Sequence, residues 1–137
     1  MHQRLSWVAA IVLAIVVGTV TVLAPGSSPP PSDVPAVFQG LAWQDLPPEG
    51  WQIGRRIAKG GPFLDDKDGS VFGNRERLLP LKKRGYYRED TVPTPGLDHR
   101  GARRIVCGGL QPRTPEHCFY TEDHYDSFRP IVGPLPQ

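Results

Sequence analysis

Residues 85–109 read GYYREDTVPTPGLDHRGARRIVCGG, and this stretch decides the fold class of the chain. Two runs rich in β-branched and aromatic residues, 86–92 and 103–107, lie on either side of the turn-forming segment 93–96 (PTPG). Such runs, bounded by proline and glycine, are typical of β-strands. Three more runs have the same character, so a sheet of adjacent short strands is predicted, with the remaining strands at 70–75, 117–121 and 127–132.

One helix is predicted ahead of these strands. The segment 46–49 (LPPE) is typical of a helix start, because proline is tolerated in the first turn and an acid there interacts favourably with the helix dipole. Trp51, Gly54 and Ile57 then recur at helical spacing, and the segment 59–62 (KGGP) ends the pattern. A helix followed by short strands indicates an α+β fold, with one N-terminal helix packed on a small antiparallel β-sheet.

The N-terminal quarter of the chain differs from the rest. The 137 residues allow one domain of ordinary size. Residues 5–24 carry no charge and are long enough to span a bilayer, so residues 1–26 are predicted to be either a cleaved signal peptide or a membrane anchor. Residues 27–35, rich in proline and serine, are predicted to be a linker, and residues 36–137 the folded domain. This organisation predicts secretion, with anchoring to the outer face of the membrane as the alternative.

Charge and cysteine content exclude several classes of protein. With 16 Lys+Arg against 14 Asp+Glu, the chain is not a polybasic protein that coats nucleic acid, and any basic patch must come from local clustering. One such cluster, Lys82-Lys83-Arg84, is interpreted as a solvated turn that also adds non-specific attraction for an anionic polymer. Two cysteines exclude a disulfide-dense miniprotein and a four-cysteine zinc site. No metal site or cofactor is expected.

Three arginines stand close together at positions 100, 103 and 104. In a strand that begins at residue 103, Arg103 and Arg104 point to opposite faces of the sheet. A buried arginine is costly without an anionic partner. The cluster is therefore either a solvated or ion-paired surface group or a phosphate site, for which the guanidinium fork is well suited.

Two further side chains could take part in proton transfer. Glu89 is an acid in the middle of a predicted strand, where alternation places it on the same face as Tyr87. Such an acid lies at an edge or is paired. His124 lies in a polar loop, and histidine transfers protons readily near neutral pH, although a lone loop histidine is usually just exposed to solvent.

Four segments together resemble the microbial guanyl-specific ribonucleases, the barnase-related family of secreted endonucleases. Residues 68–76 (DGSVFGNRE) resemble the guanine-binding segment and residues 85–96 the catalytic-base strand. Residues 100–106 (RGARRIV) resemble the phosphate-binding strand, and residues 123–125 (DHY) the general-acid loop. The resemblance implies the fold of that family. It also implies a metal-independent endoribonuclease that cleaves single-stranded RNA on the 3′ side of guanosine.

The resemblance implies a role for each matching residue. Glu89 would take the proton from the ribose 2′-hydroxyl, and His124 would protonate the leaving 5′-oxygen, while Arg100 and Arg104 would hold the phosphate. The product would be a 2′,3′-cyclic phosphate, later hydrolysed to a 3′-phosphate. Glu76 would accept hydrogen bonds from two donors of guanine at once. The complete set expected to bind substrate is Phe72, Asn74, Arg75, Glu76, Tyr87 and Tyr125.

The two cysteines, Cys107 and Cys118, lie late in the chain. In an exported protein of this family one pair suggests a Cys107–Cys118 disulfide, and two buried free thiols are the alternative.

Partners also follow from the resemblance. Single-stranded RNA is the expected ligand of a monomeric enzyme, and an acidic inhibitor protein is a further expected partner, because a ribonuclease made in the cytosol threatens the RNA of its own cell. The alternative to an enzyme is a non-catalytic RNA- or nucleotide-binding module tethered to the membrane.

Overall fold

The computed structural model describes residues 40–137, in which one helix packs on a six-stranded sheet. Helix α1 spans Pro48–Lys59, and a short 3-10 turn, Trp43–Asp45, precedes it. The strands in chain order are β1 (Leu41–Ala42), β2 (Ser70–Val71), β3 (Tyr87–Thr91), β4 (Arg104–Gly108), β5 (His117–Thr121) and β6 (Arg129–Val132). Their order across the sheet is β1-β6-β5-β4-β3-β2. The predicted α+β architecture is confirmed.

The sheet is antiparallel except at one edge, where β1 pairs parallel with β6. Leu41 pairs with Ile131 and Ala42 with Val132, so the two ends of the described region meet in the sheet. A strand of two residues is too short to show the alternation that predicts a strand, and no sequence pattern predicts β1 for that reason.

Strand β2 is shorter than predicted. The prediction of a strand over 70–75 is wrong beyond Val71, because Asn74 has a φ of 48°, in the left-handed region that strands do not use. The side chain of Asn74 holds the loop: its Nδ2 donates to Leu79 O at 2.9 Å, and Leu79 N donates to its Oδ1 at 3.1 Å. Residues 72–76 are therefore a loop beside the sheet.

Helix α1 begins and ends where the sequence predicts. Pro48 is the first helical residue, and Gly60 ends the helix with a φ of 75°, a conformation that glycine adopts without steric cost. Gly54 lets the helix approach Trp43 closely, because a Cβ added at this position would lie 2.6 Å from the Trp43 ring.

The two faces of the sheet carry separate hydrophobic clusters. Under the helix, α1 packs with β4, β5 and β6 through a main core that includes Ile53, Ile57, Ile105, Tyr120 and Ile131. On the other face a smaller cluster holds Leu79, Tyr87 and Val106, with Phe72, Phe119, Tyr125 and Phe128 packed against it. Because successive residues of a strand point to opposite faces, the neighbours Ile105 and Val106 belong to different clusters.

Strands β4 and β5 are joined covalently. Cys107 and Cys118 lie opposite each other in the antiparallel ladder, with Cα atoms 4.1 Å apart, and form a disulfide. The predicted bridge is confirmed, and the alternative of two free thiols is wrong.

The predicted signal peptide or anchor (residues 1–26) and the predicted linker (residues 27–35) lie outside the described residues. Within residues 40–137, no helix has both the length and the apolar character needed to cross a membrane.

Candidate active site

An open cleft of about 620 Å³ lies on the sheet face that carries the smaller hydrophobic cluster. Its walls are β3, the 72–76 loop and part of the segment between β5 and β6. Seven of the predicted site residues line it: Phe72, Asn74, Arg75, Glu76, Tyr87, Glu89 and Tyr125. The other residues that line the cleft are Val71, Gly73, Leu78, Lys82, Lys83, Arg84 and Phe128.

Glu89 lies at the centre of β3 with only 13% of its side chain exposed. Its Oε2 accepts a hydrogen bond from the Tyr125 hydroxyl at 2.5 Å, and its Oε1 accepts one from Arg100 Nη2 at 3.5 Å. Glu89 and Tyr87 both line the cleft, as strand alternation predicts. The structure thus holds one carboxylate by two donors at the floor of an open cleft.

Arg100 connects Glu89 to two residues that the sequence does not mark as functional. Its Nε donates to Thr91 Oγ1 at 3.0 Å and lies 3.3 Å from Asp65 Oδ1. The Lys67 amide and the Arg100 guanidinium both lower the pKa of Asp65, which therefore remains a carboxylate at neutral pH. The acid-rich turn at 65–68 (DDKD) is the only sequence signal that could have pointed to Asp65.

Arg104 is buried at the start of β4, with 2% exposure. Its Nη1 donates to Gly101 O at 2.9 Å and to Arg103 O at 2.7 Å, and its guanidinium lies 5.9 Å from the centre of the Tyr125 ring. Its Nε is buried without a hydrogen-bond acceptor among residues 40–137. A buried cation with an unpaired donor is costly, and an anion bound beside it removes that cost.

Tyr125 contacts both the Glu89 carboxylate and the Arg104 guanidinium. Burial and the hydrogen bond to Glu89 together raise the pKa of Tyr125 to about 12. The phenol therefore remains protonated and donates to Glu89 at any physiological pH. Its ring stacks on Phe72, with centroids 5.0 Å apart and planes at 29°, so the same side chain also supports the 72–76 loop.

His124 sits at the rim of the cleft, exposed to solvent, and does not line the cleft itself. Its backbone has a φ of 56°, its N–H donates to Ala102 O at 3.2 Å, and its ring lies 4.8 Å from the Tyr125 ring. Asp123 holds the loop by accepting hydrogen bonds from the Thr121 hydroxyl and from the amide and hydroxyl of Ser127. These bonds to Ser127 and Thr121 lower the pKa of Asp123, which anchors the loop as an anion.

The 72–76 loop presents its polar groups to the cleft. Phe72 N donates to Tyr87 O at 2.9 Å, which ties the loop to β3, while Arg75 and Glu76 are exposed. The amides of residues 74–76 have no acceptor within the part of the chain that the structure describes. The Asn74 side chain is used to hold the loop, so its main chain is the part that can serve a ligand. The loop offers amide donors and one carboxylate to a planar ligand stacked nearby.

Among residues 40–137, no group of three or more histidine, cysteine or acidic side chains is arranged to hold a metal ion. The arrangement as a whole brings one carboxylate, two arginines, a tyrosine and a histidine together beside a loop of free amides. Such a set can move a proton at Glu89 and stabilise negative charge at the arginines.

Known proteins resemble this chain in sequence and in fold. The ribonuclease family model matches residues 38–132. Guanyl-specific ribonuclease St of Saccharopolyspora erythraea is 50% identical over 92 residues, which cover 67% of this chain and 86% of that protein. Guanyl-specific ribonuclease Sa of Kitasatospora aureofaciens is 47% identical over 83 residues, covering 61% and 82%. The crystal structure of ribonuclease Sa2 with guanosine-2′-cyclophosphate superposes with a TM-score of 0.61 at 40% identity, covering 69% of this chain and 96% of that one.

Proposed function

Because this chain belongs to the family of microbial guanyl-specific ribonucleases, we propose that it cleaves single-stranded RNA on the 3′ side of guanosine. It is an endoribonuclease that forms a 2′,3′-cyclic phosphate and then hydrolyses it to a 3′-phosphate. The observation that carries this proposal is the setting of Glu89, held by Tyr125 and Arg100 in a cleft that the 72–76 loop also lines.

Glu89 and His124 carry the two proton transfers. In the first step Glu89 takes the proton from the 2′-hydroxyl of guanosine, and the 2′-oxygen forms a bond to phosphorus. The bond between phosphorus and the 5′-oxygen of the next nucleotide breaks, and His124, as imidazolium, gives that oxygen its proton. In the second step water opens the cyclic ester, with the roles of base and acid exchanged.

Arg100 and Arg104 stabilise the negative charge that builds up on the phosphate oxygens. The Arg104 guanidinium, whose Nε is buried without an acceptor in the described structure, places a positive charge beside the phosphate. Charge-assisted hydrogen bonds of this kind are among the strongest in proteins, especially in a partly buried site. Tyr125 keeps its proton and positions Glu89 through its hydroxyl.

The 72–76 loop selects the base. The Glu76 carboxylate accepts hydrogen bonds from N1–H and N2–H₂ of guanine, a pair of donors that adenine does not have. The amides of Asn74 and Arg75 donate to guanine O6, and the ring of Phe72 and the plane of Arg75 are available for stacking on the base.

The first test measures cleavage of GpU, ApU, CpU and UpU by the purified protein in excess chelator. We expect only GpU to be cleaved, with guanosine 2′,3′-cyclic phosphate as the first product. Cleavage of all four dinucleotides would support the assignment of the catalytic groups but contradict the role of Glu76 in guanine recognition. Absence of cleavage by the folded protein would favour the alternative of a non-catalytic RNA-binding module.

The second test concerns the role of Glu89 as the general base. Glu89→Gln is expected to lower kcat/KM for GpU by roughly 10²- to 10⁴-fold, the usual contribution of a general base. Glu116→Gln is the matched control, because Glu116 is an exposed carboxylate that bonds to Tyr86 outside the cleft. An equal effect of both substitutions would show that Glu89 is not the base.

We further propose that the enzyme is exported, since residues 5–24 form an uncharged apolar run. The mass of the mature protein and its distribution between medium and membrane test this proposal. Loss of the N-terminal residues supports a cleaved signal, an intact membrane-bound chain supports an outward-facing anchor, and an intact cytosolic chain contradicts export.

We also propose that the enzyme acts as a monomer and that an acidic inhibitor protein covers the cleft before export. The supporting feature is the row of cations along the cleft, which complements an acidic partner surface. Expression of the active domain in cells without an inhibitor is expected to be toxic, and harmless expression would contradict the inhibitor. Size measurement in solution tests the monomer.

A further inference from the structure

One wall of the cleft carries more positive charge than the cleavage reaction uses. Lys82, Lys83 and Arg84 are exposed and line the same cleft as Glu76 and Glu89. These three cations, here called the 82–84 cluster, occupy the turn before β3, in which Tyr86 N donates to Lys83 O at 3.2 Å. Arg75 adds a fourth cation to the lining of the cleft. The lining has two carboxylates, Glu76 and Glu89, which are already assigned to base recognition and proton transfer.

The 82–84 cluster has little structural role of its own. Within residues 40–137, none of its side chains takes part in a salt bridge or donates a hydrogen bond, and the one specific contact is Lys82 Nζ over the Tyr86 ring, 5.0 Å from its centre. Three neighbouring cations repel one another and favour an anionic partner. If this turn were only a solvated connection, there would be no reason for three neighbouring cations to line the cleft.

The cluster lies at the end of the cleft opposite to the phosphate site. Arg100 bonds to Thr91 at the C-terminal end of β3, whereas the 82–84 turn leads into Tyr87 at the N-terminal end. The rise of about 3.3 Å per strand residue separates the two ends of β3 by about 13 Å. The guanine-binding loop lies along this path, because Phe72 N bonds to Tyr87 O.

We propose that the 82–84 cluster binds the phosphates on the 5′ side of the recognised guanosine. This inference rests on the proposed function. The guanosine 3′-oxygen carries the reacting phosphate at the Arg100 end, and the 5′-oxygen leaves the ribose on the other side, so the preceding chain continues toward the cluster. Each phosphate carries one negative charge, and lysine or arginine contacts to it release counterions. The enzyme therefore favours guanosines that have nucleotides before them.

The test compares UpUpGpU, which has two phosphates on the 5′ side of guanosine, with GpU, which has none. The quantity measured is the ratio of their kcat/KM values in the wild type and in the double variant Lys83→Gln, Arg84→Gln. The logarithm of this ratio falls with the logarithm of the salt concentration, with a slope of about 0.7 for each phosphate contact on a single strand. The loss of two contacts is therefore expected to reduce this slope by about 1.4. Between 50 and 200 mM salt, this slope amounts to a change of about sevenfold in the wild-type ratio.

Two controls isolate the position of the effect. The double variant Lys59→Gln, Arg129→Gln removes the same charge from α1 and β6, away from the cleft, and is expected to retain the wild-type ratio. GpUpU carries its extra phosphate on the 3′ side, and its ratio to GpU is expected to be the same in the wild type and in the cluster variant. A change in the GpUpU ratio, or an equal loss in both double variants, would overturn the proposal.

A binding measurement separates this proposal from the reaction itself. Analogues of UpUpGpU and GpU with 2′-deoxyguanosine lack the nucleophile, so their dissociation constants report contacts alone. The longer analogue is expected to bind more tightly to the wild type, and the cluster variant is expected to lose this advantage. Failure of the wild type to cleave GpU would contradict the proposed function, whereas equal binding of the two analogues would contradict the role of the cluster.

Discussion

Replacing Asp90 by asparagine is expected to stabilise the protein at neutral and alkaline pH. Asp90 follows Glu89 on β3 but lies with its side chain buried, at 5% exposure. Burial and the negative charges of Asp68 and Glu89 together raise the pKa of Asp90 to about 7, and the Gly69 amide and Arg88 oppose them only in part. Asp90 is thus a carboxyl group that ionises in the folded protein only at a cost.

The size and sign of this cost follow from the two pKa values. A pKa raised from 3.8 to about 7 corresponds to roughly 4 kcal/mol, because each tenfold change in proton affinity is worth about 1.4 kcal/mol. Between these pH values the folded state binds the proton and the unfolded state has lost it, so the free energy of unfolding falls as pH rises. Below the unfolded pKa the cost is absent, and above about pH 7 it is complete.

Urea unfolding of the wild type and Asp90→Asn at pH 4 and pH 8 measures this difference. The asparagine variant is expected to be more stable by less than about 1 kcal/mol at pH 4 and by roughly 4 kcal/mol at pH 8. Asp98→Asn, which alters an exposed carboxyl group, is the control and is expected to show the same small difference at both pH values. A difference between Asp90→Asn and wild type that does not change with pH would refute the reasoning.

Two further predictions concern the contacts around the site. Tyr125→Phe removes the hydrogen bond to Glu89 and is expected to lower kcat/KM for GpU by about 10- to 100-fold, as for the loss of a bond to a charged group. Tyr86→Phe, which breaks an exposed bond to Glu116, is the control, and equal losses in both would contradict the positioning role. Replacing Cys107 and Cys118 by serine opens a bridge between residues 11 apart and is expected to cost about 3 kcal/mol of unfolding free energy. Urea unfolding checks this value, and a variant as stable as the wild type would show that the bridge contributes nothing.

Most secondary structure could be predicted because its signals are local. The proline-rich start and the glycine stop of α1 act within one helical turn, and the strands between residues 87 and 132 are short runs bounded by turn residues. The same alternation correctly placed Glu89 and Tyr87 on one face. The strand predicted over 70–75 failed because the bonds between the Asn74 side chain and Leu79 compete with the strand conformation.

The amino-acid sequence by itself determined the fold class, the family resemblance and the residues able to donate, accept or carry charge. Only the tertiary structure decided which of them meet. Asp65 lies against Arg100, the Arg104 Nε is buried without an acceptor in the described region, and the 82–84 cluster faces the substrate cleft. These contacts depend on strand register and on packing between segments far apart in the chain. Such distances are set when the two faces of the sheet pack against their hydrophobic clusters, and a local sequence pattern carries no information about them.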